Sequence, residues 1–114
     1  MASSMNQFMI PIFSGKNYDH WAFRMKTIFH SQELLEIVVN GFVEPLDESL
    51  LAANQKNELK ENMKKDIKAF QIIQQGLDDT VLARINEATT AKRAWEILET
   101  TYQGISKVKL SKLL

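Results

Sequence analysis

Few side chains in this sequence are able to do chemistry, and their spacing decides what each can do. His20 and His30 are the only imidazoles. Ten residues apart on one predicted helix, they lie about 80° apart around the axis and about 15 Å along it, so they cannot share a metal ion. They read as surface or boundary histidines. Ser14-Gly15-Lys16 looks like the end of a phosphate-cradling loop. That loop needs GxxxxGK[ST] between a strand and a helix, and here Asn17 follows the lysine. Asp19 and His20 are adjacent and point to different sides of a helix, and no serine or cysteine sits in a nucleophile elbow. Asp78-Asp79 pairs two carboxylates, but adjacent acids at a helix start ordinarily cap it and oppose its dipole. The sequence offers no catalytic, metal-binding or cofactor-binding set, so neither an enzyme nor a bound cofactor is expected.

The basic residues point weakly toward nucleic acid. Lys60, Lys64, Lys65 and Lys68 are diluted by Glu58, Glu61 and Asp66. Lys107, Lys109 and Lys112 are less diluted and are the nucleic-acid candidates, although the same trio suits the wet side of a helix. Lys/Arg and Asp/Glu balance at 14 each, so bulk charge gives no pull toward phosphate or anionic lipid. Zero cysteines removes disulfides and thiolate metal sites and fits a reducing compartment. The N-terminus lacks a secretory pattern, and no run approaches the roughly 20 apolar residues of a membrane span. A soluble, cytoplasmic protein with no membrane or small-molecule partner is expected.

The elements that position these residues read as helical. The 114 residues suit one domain with a real core. Residues 1–16 form an extended arm, because Pro11 removes a backbone donor and pushes Ile10 toward extended geometry. Asn17 is placed to cap a first helix whose stripe is Tyr18, Trp21, Met25, Ile28 and Phe29. A second spans Gln32 to Val39 and ends at Gly41, where a left-handed residue is wanted. Asp47 or Ser49 caps the longest helix, with Leu59, Met63, Ile67, Phe70, Ile73 and Leu77 on one stripe and its end at Gly76. Glu61 to Lys65 is its i,i+4 ion pair. A fourth helix follows Asp78-Asp79 and buries Val81, Leu82 and Ile85. Thr90 caps a fifth, lined by Ala91, Ala94, Trp95, Leu98 and Tyr102 and closed by Gly104. Residues 105–114 read as the truncated start of a further helix. The class is all-α: a compact bundle of five to six helices behind an N-terminal arm. Tyr18, Trp21, Met25, Trp95, Leu98 and Tyr102 are the expected core anchors.

Two motifs carry a family resemblance. They are Pro11-x-Phe13-x-Gly15-x-Asn17-Tyr18-x-x-Trp21-x-x-x-Met25 and Thr90-Ala91-x-x-Ala94-Trp95-x-x-Leu98-x-x-x-Tyr102-x-Gly104, the second running into Val108-Lys109-Leu110-x-x-Leu113. Leu77-Asp78-Asp79 lies between them. In this order they resemble the N-terminal and capsid region of the Gag polyprotein of plant copia-type LTR retrotransposons. The resemblance implies a retroviral-capsid-like helical domain without catalytic activity. Such a domain self-associates into a virus-like particle around the element's RNA. Phe8, Ile10 and Phe13 of the arm, with Val108, Leu110, Leu113 and Leu114, are the self-association candidates. The partners implied are the chain itself and element RNA, the RNA mainly through regions outside this chain, since the zinc knuckle of such Gags cannot be built without cysteine. The alternative is a domesticated Gag-derived module that binds peptides or proteins without forming particles. Arg93 stands where the family often has Glu, so the reciprocal capping box after Thr90 is lost.

Overall fold

A computed structural model describes residues 9–103. Five α-helices follow residues 9–16, the described end of the arm: α1 Tyr18–Ser31, α2 Leu35–Asn40, α3 Ala53–Gln75, α4 Asp79–Leu82 and α5 Ala91–Leu98. Short 3₁₀ turns occupy Glu48–Leu50 and Ala83–Ile85, and a π-helical turn, Glu99–Gln103, extends α5. The architecture is all-α, as the hydrophobic spacing predicts. The expected further helix over residues 105–114 lies outside the described residues.

The helix starts and stops follow local chemistry, with some differences from the sequence reading. Asn17 adopts a left-handed conformation (φ 59°) and its side chain caps nothing. It serves instead as the tight turn out of the arm, a use asparagine tolerates better than most residues. Its carbonyl accepts the Trp21 N–H at 3.2 Å, which opens α1. Gln32 belongs to the end of α1 and not to the start of α2. The break is made by Glu33, another left-handed residue (φ 58°), after which the Leu34 N–H returns to the Phe29 carbonyl at 2.7 Å. Gly41 does end α2 with a positive φ of 68°, but its ψ of −157° lies in a region essentially reserved for glycine. A β-carbon there would also stand 2.9 Å from the Lys92 side chain.

Asp47 caps only the 3₁₀ turn, accepting from the Ser49 N–H at 2.9 Å. The first turn of α3 is tied by the Gln55 side chain, which accepts the Ala52 N–H at 2.9 Å. Alanine has no side-chain acceptor, so only that half of a capping box is made. Asp78 caps α4 as expected, accepting the Val81 N–H at 2.9 Å.

The buried face of α3 is rotated from the predicted stripe. Leu59, Asp66, Ala69, Ile72 and Ile73 face inward, whereas Met63 and Ile67 are 43% and 66% exposed. Asp66 explains the rotation. Its Oδ1 accepts the Ala91 N–H at 2.8 Å, so a carboxylate on α3 satisfies an orphan donor at the start of α5. Thr90 Oγ1 accepts the Arg93 N–H at 3.1 Å in the same turn. Arg93, unable to close the reciprocal box, instead pairs with Glu87 at 2.8 Å. Of the i,i+4 and i,i+3 choices on α3, the observed ion pair is Glu61–Lys64 at 3.7 Å, well exposed on both sides.

These bonds make α5 the hub. It packs against α2, α3 and the 3₁₀ turn after α4, and Ala91 and Ala94 let the neighbouring backbones approach. Ile72 and Ile73 of α3 and its own Leu98 are fully buried, each contributing about 1.5–3 kcal/mol of transfer free energy. Asp66→Ala is expected to lower stability by about 1–3 kcal/mol, because the buried Ala91 N–H loses its acceptor. Asp66→Asn, which keeps an oxygen there, should lose less. Urea unfolding midpoints decide the matter, and a loss for Asp66→Ala no larger than for the exposed Asp19→Ala would contradict the assigned role.

Candidate functional site

The most highly built part of the molecule is the seat of the arm. Pro11 cannot donate, but its carbonyl accepts the Trp21 indole N–H at 3.0 Å. Two residues on, the Phe13 N–H donates to the Gly76 carbonyl at 2.8 Å and the Asp78 N–H donates to the Phe13 carbonyl at 3.1 Å. Phe13 thereby forms an isolated parallel bridge with Leu77. Gly76 has an ordinary backbone conformation but must be small. A β-carbon on it would sit 3.1 Å from Met25 Cε and 3.2 Å from the Pro11 carbonyl.

The bridge drives the Phe13 ring into the core, where it is 1% exposed. It stacks on Trp21 (5.0 Å between centroids, 25° between planes) and meets Tyr18 and Tyr102 edge-on at 5.7 and 4.8 Å. Trp21 in turn stacks on Trp95 at 5.5 Å, and Phe29 meets Trp95 edge-on at 5.6 Å. The arm, α1, α5 and the π turn are joined by one run of rings. Such pairs contribute about 0.5–1.5 kcal/mol each beyond their area.

Tyr18, Trp21, Met25, Trp95 and Leu98 are buried, and Tyr102 is half-buried. Of the self-association candidates, Phe13 belongs to the core of its own chain and would reach a second copy only by exchange of the arm. Ile10 is half-buried against the core, and Phe8, Val108, Leu110, Leu113 and Leu114 lie outside the described residues, as do Lys107, Lys109 and Lys112. His20 and His30 are exposed.

The Tyr18 hydroxyl is buried without a hydrogen-bond partner among the described residues. Burial first, then the carboxylates of Glu99 and Asp19, push its pKa far above the ordinary value of 10.0. No group of three or more metal-ligating side chains occurs among the described residues.

Two surface features escaped the sequence reading. The exposed Met63 and Ile67, one turn apart, leave α3 with a second apolar strip facing away from the core. The N-terminal half of α3 also runs past the core, and between it, α2 and the 41–51 loop lies an open groove of about 590 Å³. Ile37, Phe42 and Leu59 supply apolar lining, while Glu33, Glu36 and Glu58 supply negative charge. Val43, which lines the groove, and Leu46 and Leu50 of the same loop are apolar and exposed.

A family model described as the gag-polypeptide of LTR copia-type matches residues 25–114. The chain belongs to the copia-type Gag family. The match begins inside α1, so it covers the Thr90-to-Gly104 motif, while most of the Pro11-to-Met25 motif lies ahead of it. No curated protein and no solved structure matches the chain. Family membership supports a structural role for this Gag domain. No helix among its described residues is long and apolar enough to cross a membrane.

Trp21→Ala in this Gag domain is expected to cost about 3–5 kcal/mol, since it removes the ring between Phe13 and Trp95 and the clamp on Pro11. Chemical denaturation reads this directly, and a near-neutral change would reopen a functional role for the Pro11-to-Trp21 stretch. Tyr18 gives a pH test. Its folded pKa is raised, so below the unfolded value near 10 it is neutral in both states, and stability is lost as pH rises above that value because the unfolded chain ionises first. Tyr18→Phe should therefore flatten the alkaline loss of stability while leaving stability at neutral pH unchanged or slightly higher. Parallel stability curves for the two proteins above pH 10 would refute the assignment.

Proposed function

We propose that this domain is a capsid-type assembly unit, whose copies associate through weak, repeated helical contacts to build a particle around element RNA. The observation that carries the proposal, beside family membership, is the exposed pair Met63 and Ile67 on the longest helix. A folded core with apolar side chains directed outward on a long, regular element suits protein–protein contact. In a shell each contact can be weak, because many equivalent contacts add through effective concentration. The arm provides a second route, through exchange between neighbouring copies. RNA is held mainly by other parts of the Gag polyprotein, and the particle is cytoplasmic.

A domesticated binding module is the second reading, favoured by the groove beside α2, which has the mixed apolar and charged lining of a peptide site. Genomic context separates the two. A reading frame that continues into a zinc knuckle, protease and polymerase supports the element, whereas a stand-alone gene supports co-option.

Sedimentation across a concentration series tests assembly. Self-association is expected to rise with concentration and to weaken by about tenfold or more in the double variant Met63→Lys, Ile67→Lys, equivalent to about 1.4 kcal/mol. Both positions are exposed, so the fold should survive. A strictly monomeric chain, together with a full-length Gag that forms no particles by electron microscopy, would sink the proposal.

A further inference from the structure

The groove between α2, the 41–51 loop and the N-terminal half of α3 has a definite chemistry. Its lining holds three carboxylates, Glu33, Glu36 and Glu58, and one lysine, Lys65. Ile37 and Leu59, which are buried, and Phe42, which is half-buried, make its apolar part. An occupant suited to it carries several positive charges, no acid, and apolar side chains between the charges. One segment of this chain has that composition. Residues 105–114 read ISKVKLSKLL, with three lysines, no acidic residue and five Ile, Val or Leu side chains.

We infer that the groove receives residues 105–114 of a second copy. The lysines of the segment supply the counter-charge to the glutamates, and its Ile, Val and Leu side chains supply the apolar contact. The inference rests on the proposed assembly role and specifies one of its contacts.

Reach favours a second copy over the chain's own segment. The groove lies at the start of α5, where Lys92 is against Gly41 at the groove wall. Gln103 lies at the far end of α5 and its π turn, with neighbouring Tyr102 packed on Phe13. The helical run from Ala91 to Gln103 covers about 18 Å at about 1.5 Å per residue. Its own Lys112 could span that distance, and its own Lys109 only with all six residues almost fully extended. Its own Lys107, four residues past Gln103, falls short at about 3.3–3.6 Å per residue, so the three lysines cannot all return together. A second copy has no such restriction. Because groove and segment are different surfaces, the contact is heterologous: each copy offers one groove and one segment, and repetition gives rings or open chains. The same lysines that the sequence marks as nucleic-acid candidates are then committed to protein.

Zero-length carbodiimide coupling of the full chain, as an equal mixture of ¹⁴N- and ¹⁵N-labelled protein, tests this directly. The reagent joins a carboxylate to an amine already beside it, and mass spectrometry of mixed-isotope products identifies links between copies. The exposed Glu61–Lys64 pair, 3.7 Å apart in one chain, is the internal control for coupling. The expected result is mixed-isotope links from Glu36 or Glu58 to Lys107, Lys109 or Lys112. Glu36→Gln with Glu58→Gln should remove those links and weaken association on the order of two- to tenfold at low salt. Glu58→Lys should be rescued by Lys109→Glu on the other copy.

Links found only within single-isotope products would overturn the second-copy assignment. Association that is sensitive to Met63→Lys, Ile67→Lys but yields no groove-to-lysine links would overturn this inference and leave the assembly role standing. No association at all would overturn both. RNA affinity at low salt that is lost on Lys107, Lys109 and Lys112→Ala, with no links formed in RNA-free protein, would assign the lysines to nucleic acid instead.

Discussion

The structure depends on the seating of one side chain, Phe13, at the point where the arm meets the helices. Its two backbone bonds, to Gly76 and Asp78, fix the arm in a parallel bridge. The bridge fixes the ring, and the ring lies on Trp21, which carries the contact onward to Trp95. The indole N–H of Trp21 then closes the loop by holding the Pro11 carbonyl. Each bond makes the others easier to satisfy, because the arm has no regular structure of its own to hold it. A short extended segment without partners would leave its backbone polar groups to water and gain nothing from ordering.

A second constraint works through α5. Its eight α-helical residues are too few to be stable alone. The helix is held by donors satisfied from two directions: Thr90 within its own first turn, and Asp66 from across the core. Asp66 is a charged side chain in a buried place, and its position is understandable only as a capping group for another helix. The cost of bringing it inward is offset by a charge-assisted bond at the positive end of that helix. The same bond turns α3 so that Met63 and Ile67 face solvent. A polar interaction in the core thus determines which apolar residues are left for partners.

Much of this was legible in the sequence, and the misses have specific physical causes. The aromatic stripe of α1, the Asp78 and Thr90 caps and the end of α3 at Gly76 were all readable from spacing and residue type. The stripe through Leu59, Met63, Ile67 and Phe70 was misread because periodicity weighs hydrophobicity alone. It cannot know that an aspartate will be drawn inside by a backbone donor far along the chain. Asn17 and Glu33 were misread for a related reason. A left-handed residue other than glycine has no reliable signature, and here tertiary packing of Trp21 and Leu34 selects the turn. The groove was not readable at all, since it arises where α3 outruns the core. The resemblance carried by Pro11-to-Met25 and Thr90-to-Gly104 was the most informative signal, and the two motifs meet in space. One supplies Phe13 and Trp21, the other Trp95 and Tyr102, so the family pattern corresponds to one physical contact.

The arm, through Phe13, is part of the core and not an appendage of it. Amide hydrogen exchange at the N–H of Phe13 and of Asp78 reads this. If the bridge holds the fold together, both amides exchange only on global unfolding, with protection equal to that of Met25 and Leu98 in the buried helices. Exchange at the rate of an open loop, while those helices stay protected, would show that the core stands without the bridge.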